Sequence, residues 1–331
     1  MYKIKMFLLI VTLCFSFIGC TSSSSSSSGI GVDVRIAVLK GPTAIGIIKL
    51  MDEAENGQIK PNRYSFQVAG SVDELVPAII QGDVDIAAVP ANLASVLFNN
   101  TQGAVQVVAV HTLGMIYIVE TGETISSVAD LRGRTIAASG KGAPQEYALR
   151  YILLANGLNP DEDVDIEWKS EHTEVVASLV TGTASLALLP QPFVTTAMMA
   201  DEGIRIALDM NDEWHRAQSG SATPSSLIMG VMIARTQFVD ENPAAIADFL
   251  DRYQESITFA NGQVNETAAL VGQYEIFPEA VARLAIPYCN ITFIEGKEMM
   301  DVYSGYLAVL HGQNPQAVGG TLPSDEFYFI R

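Results

Sequence analysis

Two stretches of the chain, one hundred residues apart, follow the same plan. Asp73–Ala94 reads DELVPAIIQGDVDIAAVPANLA, and Thr173–Val194 reads TEVVASLVTGTASLALLPQPFV. Glu74 and Glu174, Val76 and Val176, Gly82 and Gly182, Ala87 and Ala187, and Pro90 and Pro190 are identical pairs. Such a repeat commits both segments to one supersecondary unit, which constrains topology more than composition can. In each copy, apolar residues at helical spacing (Leu75, Val76, Ile79 and Ile80 in the first) end in a glycine suited to closing a helix. A short apolar run follows, Ile86–Val89 or Leu186–Leu189, of strand length and buried character. Proline and another apolar-periodic helix come next.

The segments before each copy also match. Arg35–Leu39 is a β-like run, followed by Lys40-Gly41-Pro42-Thr43 and a helix through about Asp52. Thr135–Ser139 is a similar run, followed by Lys141-Gly142-Ala143-Pro144 and a helix through about Asn156. Strand, glycine-containing loop, helix, strand, helix, strand is the pattern of parallel α/β units. Chance likeness between two α/β segments is the alternative, but several landmarks stay in register. The fold class expected is α/β, with two Rossmann-like lobes. Leu113–Val119 and Leu227–Ala234 read as the two strands that cross between them, forming a hinge. Residues 33–119 plus 228–331 would form lobe one, and 120–227 lobe two. Helices near 242–253, 265–274, 278–284 and 296–312 should pack back on lobe one.

The start of the chain reads as an address. Lys3 and Lys5 precede the apolar stretch Met6–Ile18, which is too short to span a membrane and suits a signal peptide over residues 1–19. The segment ends Phe17-Ile18-Gly19-Cys20. This resembles a bacterial lipobox with Phe17 in place of the usual leucine, which makes Cys20 the expected lipidation site. An ordinary signal peptide with an incidental cysteine is the alternative. The serines from Ser22 to Ser28 cannot bury surface, so residues 20–32 read as a solvated tether. Cys289 then stands as a lone thiol, more often a small buried apolar residue than a nucleophile.

Composition closes other routes. The 331 residues carry 37 acidic and 19 basic side chains, a net charge of −18, so a nucleic-acid partner is not expected. Apolar residues make up 49%, too many for a disordered chain. Without the two signal lysines, 37 acidic and 17 basic side chains leave a net of −20. A field of that sign slows a multiply charged anion. A neutral, zwitterionic or singly charged small molecule is therefore favoured.

In open parallel sheets, ligands bind beyond the carboxyl ends of the strands. Four loops occupy that place, and each opens a helix whose free N–H groups can hold a polar or anionic group. They supply Pro42, Thr43 and Ala44; Ala91 and Asn92; Gly142, Ala143, Pro144 and Gln145; and Gln191. Each could equally be an ordinary strand–turn–helix junction. His172 could add polar recognition, and Trp214 could stack on a flat ligand or simply pack between lobes. Lys40 and Lys141 could attract an anion or be plain surface lysines. The four histidines, His111, His172, His215 and His311, lack metal-ligand spacing, so no metal is expected. No nucleophile elbow, phosphate loop or dinucleotide fingerprint is present, and no cofactor or catalytic set is expected.

Lys40-Gly41-Pro42-Thr43, Asp85–Pro90, Val128–Gly133 and Pro190-Gln191-Pro192-Phe193 resemble the nitrate/sulfonate/taurine group of ABC-transporter substrate-binding proteins. Relatives of that group bind pyrimidine precursors of thiamine. The phrase S-V-x-D-L-x-G-x-x-I at Ser127–Ile136 is a frequent opening of the second lobe in type II binding proteins. The likeness covers the chain after the signal segment, and Gln191 stands where the family generally has Glu. The resemblance implies the type II periplasmic-binding-protein fold and a monomer. It implies a lipid-anchored, extracytoplasmic protein that closes over a sulfonate, a pyrimidine-like or a related molecule. It implies a permease and ATPase complex as partner. A thiamine-pyrimidine-synthesis enzyme and a sensory lipoprotein are the alternatives.

Overall fold

The computed structural model describes residues 31–221 and 225–331. The signal-like segment, Cys20 and the serine tract lie outside the described residues. Two sheets form the frame. The first contains β1 (Asp33–Leu39), β2 (Arg63–Ala69), β3 (Ile86–Pro90), β4 (Val105–Leu113), β10 (Ile228–Arg235) and β11 (Ile291–Ile294), in the order β11-β4-β10-β3-β1-β2. The second contains β5 (Ile116–Thr121), β6 (Thr135–Ser139), β7 (Asp165–Lys169), β8 (Leu186–Pro190) and β9 (Ile204–Asp209), in the order β7-β6-β8-β5-β9.

The repeat reappears as matching topology. Strands β2-β1-β3 and β7-β6-β8 are parallel triplets, each bordered by an antiparallel strand from across the chain. In the first sheet Gly230 of β10 pairs with Pro90, and in the second Ile116 of β5 pairs with Pro190. The helices of the repeat are α2 (Val72–Gln81) and α5 (His172–Val180). Helix α2 ends on Gly82 in the left-handed conformation (φ 78°), whose N–H bonds back to the last turn, as a Schellman-type end requires. The remaining helices of this part are α1 (Pro42–Glu55), α3 (Ala91–Asn100), α4 (Pro144–Ala155), α6 (Phe193–Ala200) and α7 (Met210–Ala217). Each flanks a sheet and buries one apolar face, so the central strands are covered and read as continuous apolar runs.

The S-V-x-D-L phrase works locally. Ser127 and Asp130 form a capping box on a short 3₁₀ turn, Val128–Leu131. Hydrogen bonds from Ser126 and Ser127 hold the exposed Asp130 carboxyl down at about 2. Each sheet also carries one buried, arginine-held carboxylate. Burial alone would raise Asp85, but hydrogen bonds from Arg35 and Arg235, at 2.7 to 3.0 Å, outweigh it and hold it below the usual value. Glu120 is held down in the same sense, by the backbone N–H of Ile125, by Thr124 and by Arg205.

One expectation is corrected. Leu113–Val119 is not one crossing strand. It breaks at Gly114-Met115 into the end of β4 and the start of β5, so Ile116–Val119 pair in the second sheet rather than the first. The break is fixed from both sides: Asn290 donates to the Gly114 carbonyl, and Asn211 fills the space a Cβ at 114 would need. Past β9 the chain turns at once into α7, Met210–Ala217. Asp209 caps α7, accepting from the N–H of Asn211 at 2.8 Å.

The C-terminal helices are α8 (Thr236–Glu241), α9 (Pro243–Gly262), α10 (Val264–Gln273), α11 (Glu279–Ala285) and α12 (Gly296–Gln313). They pack on the first sheet, with α9 lying along α1. Two of them also reach the other half: α12 touches α4 and α11 touches α6, and Phe277, just before α11, lies 5.4 Å from Phe193. Cys289 is buried and donates to the Ala285 carbonyl at 3.3 Å, and burial pushes its thiol up to about 12. It reads as a small packed residue rather than a nucleophile.

Candidate functional site

A cavity of about 250 Å3 lies between the two sheets, at the carboxyl ends of their parallel strands. It forms because the same strand–loop–helix unit is used twice, facing itself. Six helices begin at its wall: α1 at Pro42 and Thr43, α2 at Val72, α3 after Pro90, α4 at Pro144 and Gln145, α5 at His172 and α6 at Phe193. Their free N–H groups and dipole ends point partial positive charge at the cavity. Lys40 is also on the wall, and no carboxylate is among the lining residues. The site is therefore locally positive inside a chain of net charge −18. Most of the remaining wall is apolar, with Leu39, Val89, Met115, Phe193 and Met229, and Thr112 and Gln191 add polar groups.

The cavity brings together seven of the residues expected from sequence: Pro42, Thr43, Ala143, Pro144, Gln145, His172 and Gln191. Thr43 turns its hydroxyl back onto the Leu39 carbonyl, tying the first turn of α1 to the end of β1. Gln191 is 2% exposed, and its Oε1 accepts from the N–H and hydroxyl of Thr195, at 3.3 and 2.8 Å. Its carbonyl oxygen therefore caps α6. His172 bonds through Nδ1 to Ser139 and lies 4.8 Å from the Phe193 ring. Burial pulls its pKa down to about 4, so the imidazole is neutral at pH 7. A neutral ring can both donate and accept.

The other five stand elsewhere. Ala44 and Ala91 are fully buried, and the Ala91 carbonyl accepts from the Tyr303 hydroxyl of α12. Asn92 and Gly142 meet each other: the Asn92 side-chain amide donates to the Gly142 carbonyl at 2.9 Å. That bond joins the start of α3 to the loop before α4, across the two halves. Trp214 is 0% exposed and lies between Tyr151 of α4, at 4.7 Å, and Tyr306 of α12, at 5.7 Å. Its indole N–H donates to the Ser225 carbonyl at 2.9 Å. The structure thus places it in the packing of the return crossover, away from the cavity wall.

Sequence reading missed wall residues from the crossover strands, notably Thr112, Met229 and Gly230. They sit inside apolar strand runs and carry no loop signature. A polar pair, His111-Thr112, inside a buried strand was the available signal. Among the described residues, no group of histidine, cysteine and carboxylate side chains is placed to hold a metal ion. No described helix is long and apolar enough to cross a membrane.

Comparison with known proteins fits this geometry. No curated protein matches the chain. An ABC transporter structure from Parabacteroides distasonis is 22% identical, with a TM-score of 0.75 over 89% of this chain and 98% of that one. The periplasmic aliphatic sulphonate binding protein SsuA from Escherichia coli is 18% identical, with a TM-score of 0.72 over 90% and 92%. The periplasmic nitrate-binding protein NrtA from Synechocystis is 14% identical, with a TM-score of 0.56 over 81% and 74%. These likenesses show the type II periplasmic-binding-protein fold. Residues 61–256, more than half of the chain, match the family model described as "ABC transporter, phosphonate, periplasmic substrate-binding protein". Two facing α/β units with a cavity between them, and a family match across both, lead to one conclusion: the chain belongs to the family of periplasmic substrate-binding proteins of ABC transporters.

Proposed function

We propose that the protein captures a small, singly charged oxyanion carrying an apolar group, and hands it to an ABC permease. The carrying observation is the cavity wall: six helix N-termini and Lys40 converge on a space with no carboxylate among its lining residues, and most of the rest of that wall is apolar. Helix ends hold an oxyanion without a full counter-charge, and the apolar wall suits an alkyl body. Sulfonates and phosphonate monoanions have this shape, and the resemblance of the sequence to sulfonate binders and the phosphonate family match point the same way. The two sheets with their helices would act as lobes, hinged where the chain crosses at Gly114-Met115 and again before Ile228. A ligand bridging both lobes favours the closed form through contacts the open form lacks. No covalent step is needed.

A thermal-shift screen tests this reading. Methane-, ethane- and butanesulfonate, methylphosphonate, nitrate and a hydroxymethylpyrimidine are the probes. At least one sulfonate or phosphonate raises the melting temperature, since ligand at 100 times its Kd adds about 2.7 kcal/mol. A flat result across all probes sinks the small-anion assignment, and a response to the pyrimidine alone shifts the ligand class.

The lipobox-like segment supports a lipid anchor at Cys20, with the serine tract as tether. Cys20→Ser then moves the protein from the membrane fraction to the soluble extracytoplasmic fraction. A variant that stays with the membrane would refute the anchor.

A further inference from the structure

Behind the cavity wall, at the paired crossover strands β4 and β10, lies a buried polar pair that the ligand reading does not use. His111 is 1% exposed, and its Nδ1 lies 2.7 Å from the Thr112 hydroxyl. Its Nε2 is buried and has no hydrogen-bond partner. Thr112 itself lines the cavity, as does Gly230 on the neighbouring strand. The imidazole occupies the place where a side chain at 230 would start: a Cβ there would lie 2.4 Å from His111 Cε1. Glycine at 230 therefore lets the ring slide under the wall and reach Thr112.

The ring's tautomer decides what Thr112 offers. If Nδ1 accepts, the Thr112 hydrogen is spent on the ring, and Nε2 carries a buried N–H with nothing to donate to. If Nδ1 carries the hydrogen, it donates to the Thr112 oxygen, and only a lone pair on Nε2 is left unmatched. Orphaned buried N–H groups are rarer in folded proteins than under-satisfied acceptors. Burial also pulls the His111 pKa down to about 4, outweighing the nearby backbone carbonyls of His111 and Val231, neither of which meets Nε2 in hydrogen-bond geometry, so the doubly protonated ring is absent at pH 7. We infer that His111 is a positioning residue that donates through Nδ1 to Thr112, leaving the Thr112 hydroxyl hydrogen to point at an acceptor on the ligand. Thr112 is then a specificity residue for an oxyanion, set on the crossover strand itself. Ligand contact there is made at the hinge, not only on the lobes.

The inference rests on the ligand reading above for its purpose, but its first test does not need a ligand. The full chain carries 15N-labelled histidine, and the His111 signal is assigned by comparison with His111→Gln. The expected pattern is a pyrrole-type Nδ1 and a pyridine-type Nε2. The reverse tautomer, or averaging between the two, would overturn the assignment. The second test compares binding of butanesulfonate by calorimetry. Thr112→Val, which keeps the shape and removes the hydroxyl, weakens it about 10- to 100-fold, as expected for a hydrogen bond to a charged group. Thr112→Ser, which keeps the hydroxyl and loses the methyl that Thr112→Val retains, holds affinity within about threefold. Equal binding by wild type and Thr112→Val would overturn the role of Thr112. A wild-type protein that ignores butanesulfonate but shows the Nδ1–H tautomer counts against the ligand class and upholds the His111–Thr112 geometry.

Discussion

Trp214→Ala lowers the unfolding free energy by about 3–5 kcal/mol, the usual cost of deleting a fully buried large aromatic. The indole is completely covered, packs on Tyr151 and Tyr306, and donates to the Ser225 carbonyl. Three parts of the chain meet on it: α4 of the second half, α12 of the C-terminal part, and the return crossover. Removing it leaves a cavity and an unpaired carbonyl together. Tyr306 already has an unpartnered buried hydroxyl there, so the site has little spare polarity to relieve the loss. Urea unfolding followed by far-UV circular dichroism reads the effect. Trp214→Phe, which keeps most of the packing and loses the hydrogen bond, falls in between. If Trp214→Ala unfolds like wild type but loses affinity for the ligand found by the screen, Trp214 is a ligand residue after all.

Gly140→Ala acts on the site with a smaller effect on the fold. Gly140 has φ 77°, and a Cβ there would lie 1.9 Å from Gln145 Nε2 and 2.6 Å from its Cδ. Alanine bears about 1–2 kcal/mol of backbone strain in this conformation. It also evicts the Gln145 side chain from a wall that both residues line. Gln145 stands in the first turn of α4, so its displacement disturbs one of the six helix ends facing the cavity. Affinity for the ligand found by the screen falls at least about tenfold, equivalent to about 1.4 kcal/mol. Stability falls by no more than about 2 kcal/mol. Calorimetric titration beside urea unfolding separates the two. Unchanged affinity would show that this loop does not touch the ligand.

The parallel triplets were legible because periodicity is a local property. Leu75, Ile79 and Gly82 announce a helix and its end, and Ile86–Val89 announce a buried strand, wherever they lie in space. The repeat at one hundred residues then supplied the pairing of the two units. Thr43, Pro144 and Gln145, which line the cavity, were named by one further rule, that ligands sit where parallel strands end, and His172 by its place just before a helix. Asn92 and Gly142 obeyed the same local rule and were still drawn to each other across the two halves. No local pattern distinguishes a helix start that faces a cavity from one that faces another loop.

The sequence by itself determined the units: their strands and helices, their duplication, and the ends at which a ligand could be held. Only the tertiary structure decided their partners. Sheet membership of Ile116–Val119 depends on which strand lies alongside, and that strand, β8, is about seventy residues away. The burial of Trp214 depends on α12, nearly a hundred residues away. The place of Thr112 on the cavity wall depends on Gly230 leaving room for His111. Propensity and hydrophobic period are summed over neighbours in sequence. Packing and hydrogen-bond satisfaction are summed over neighbours in space, and in this chain the cavity between the two units is made by those neighbours.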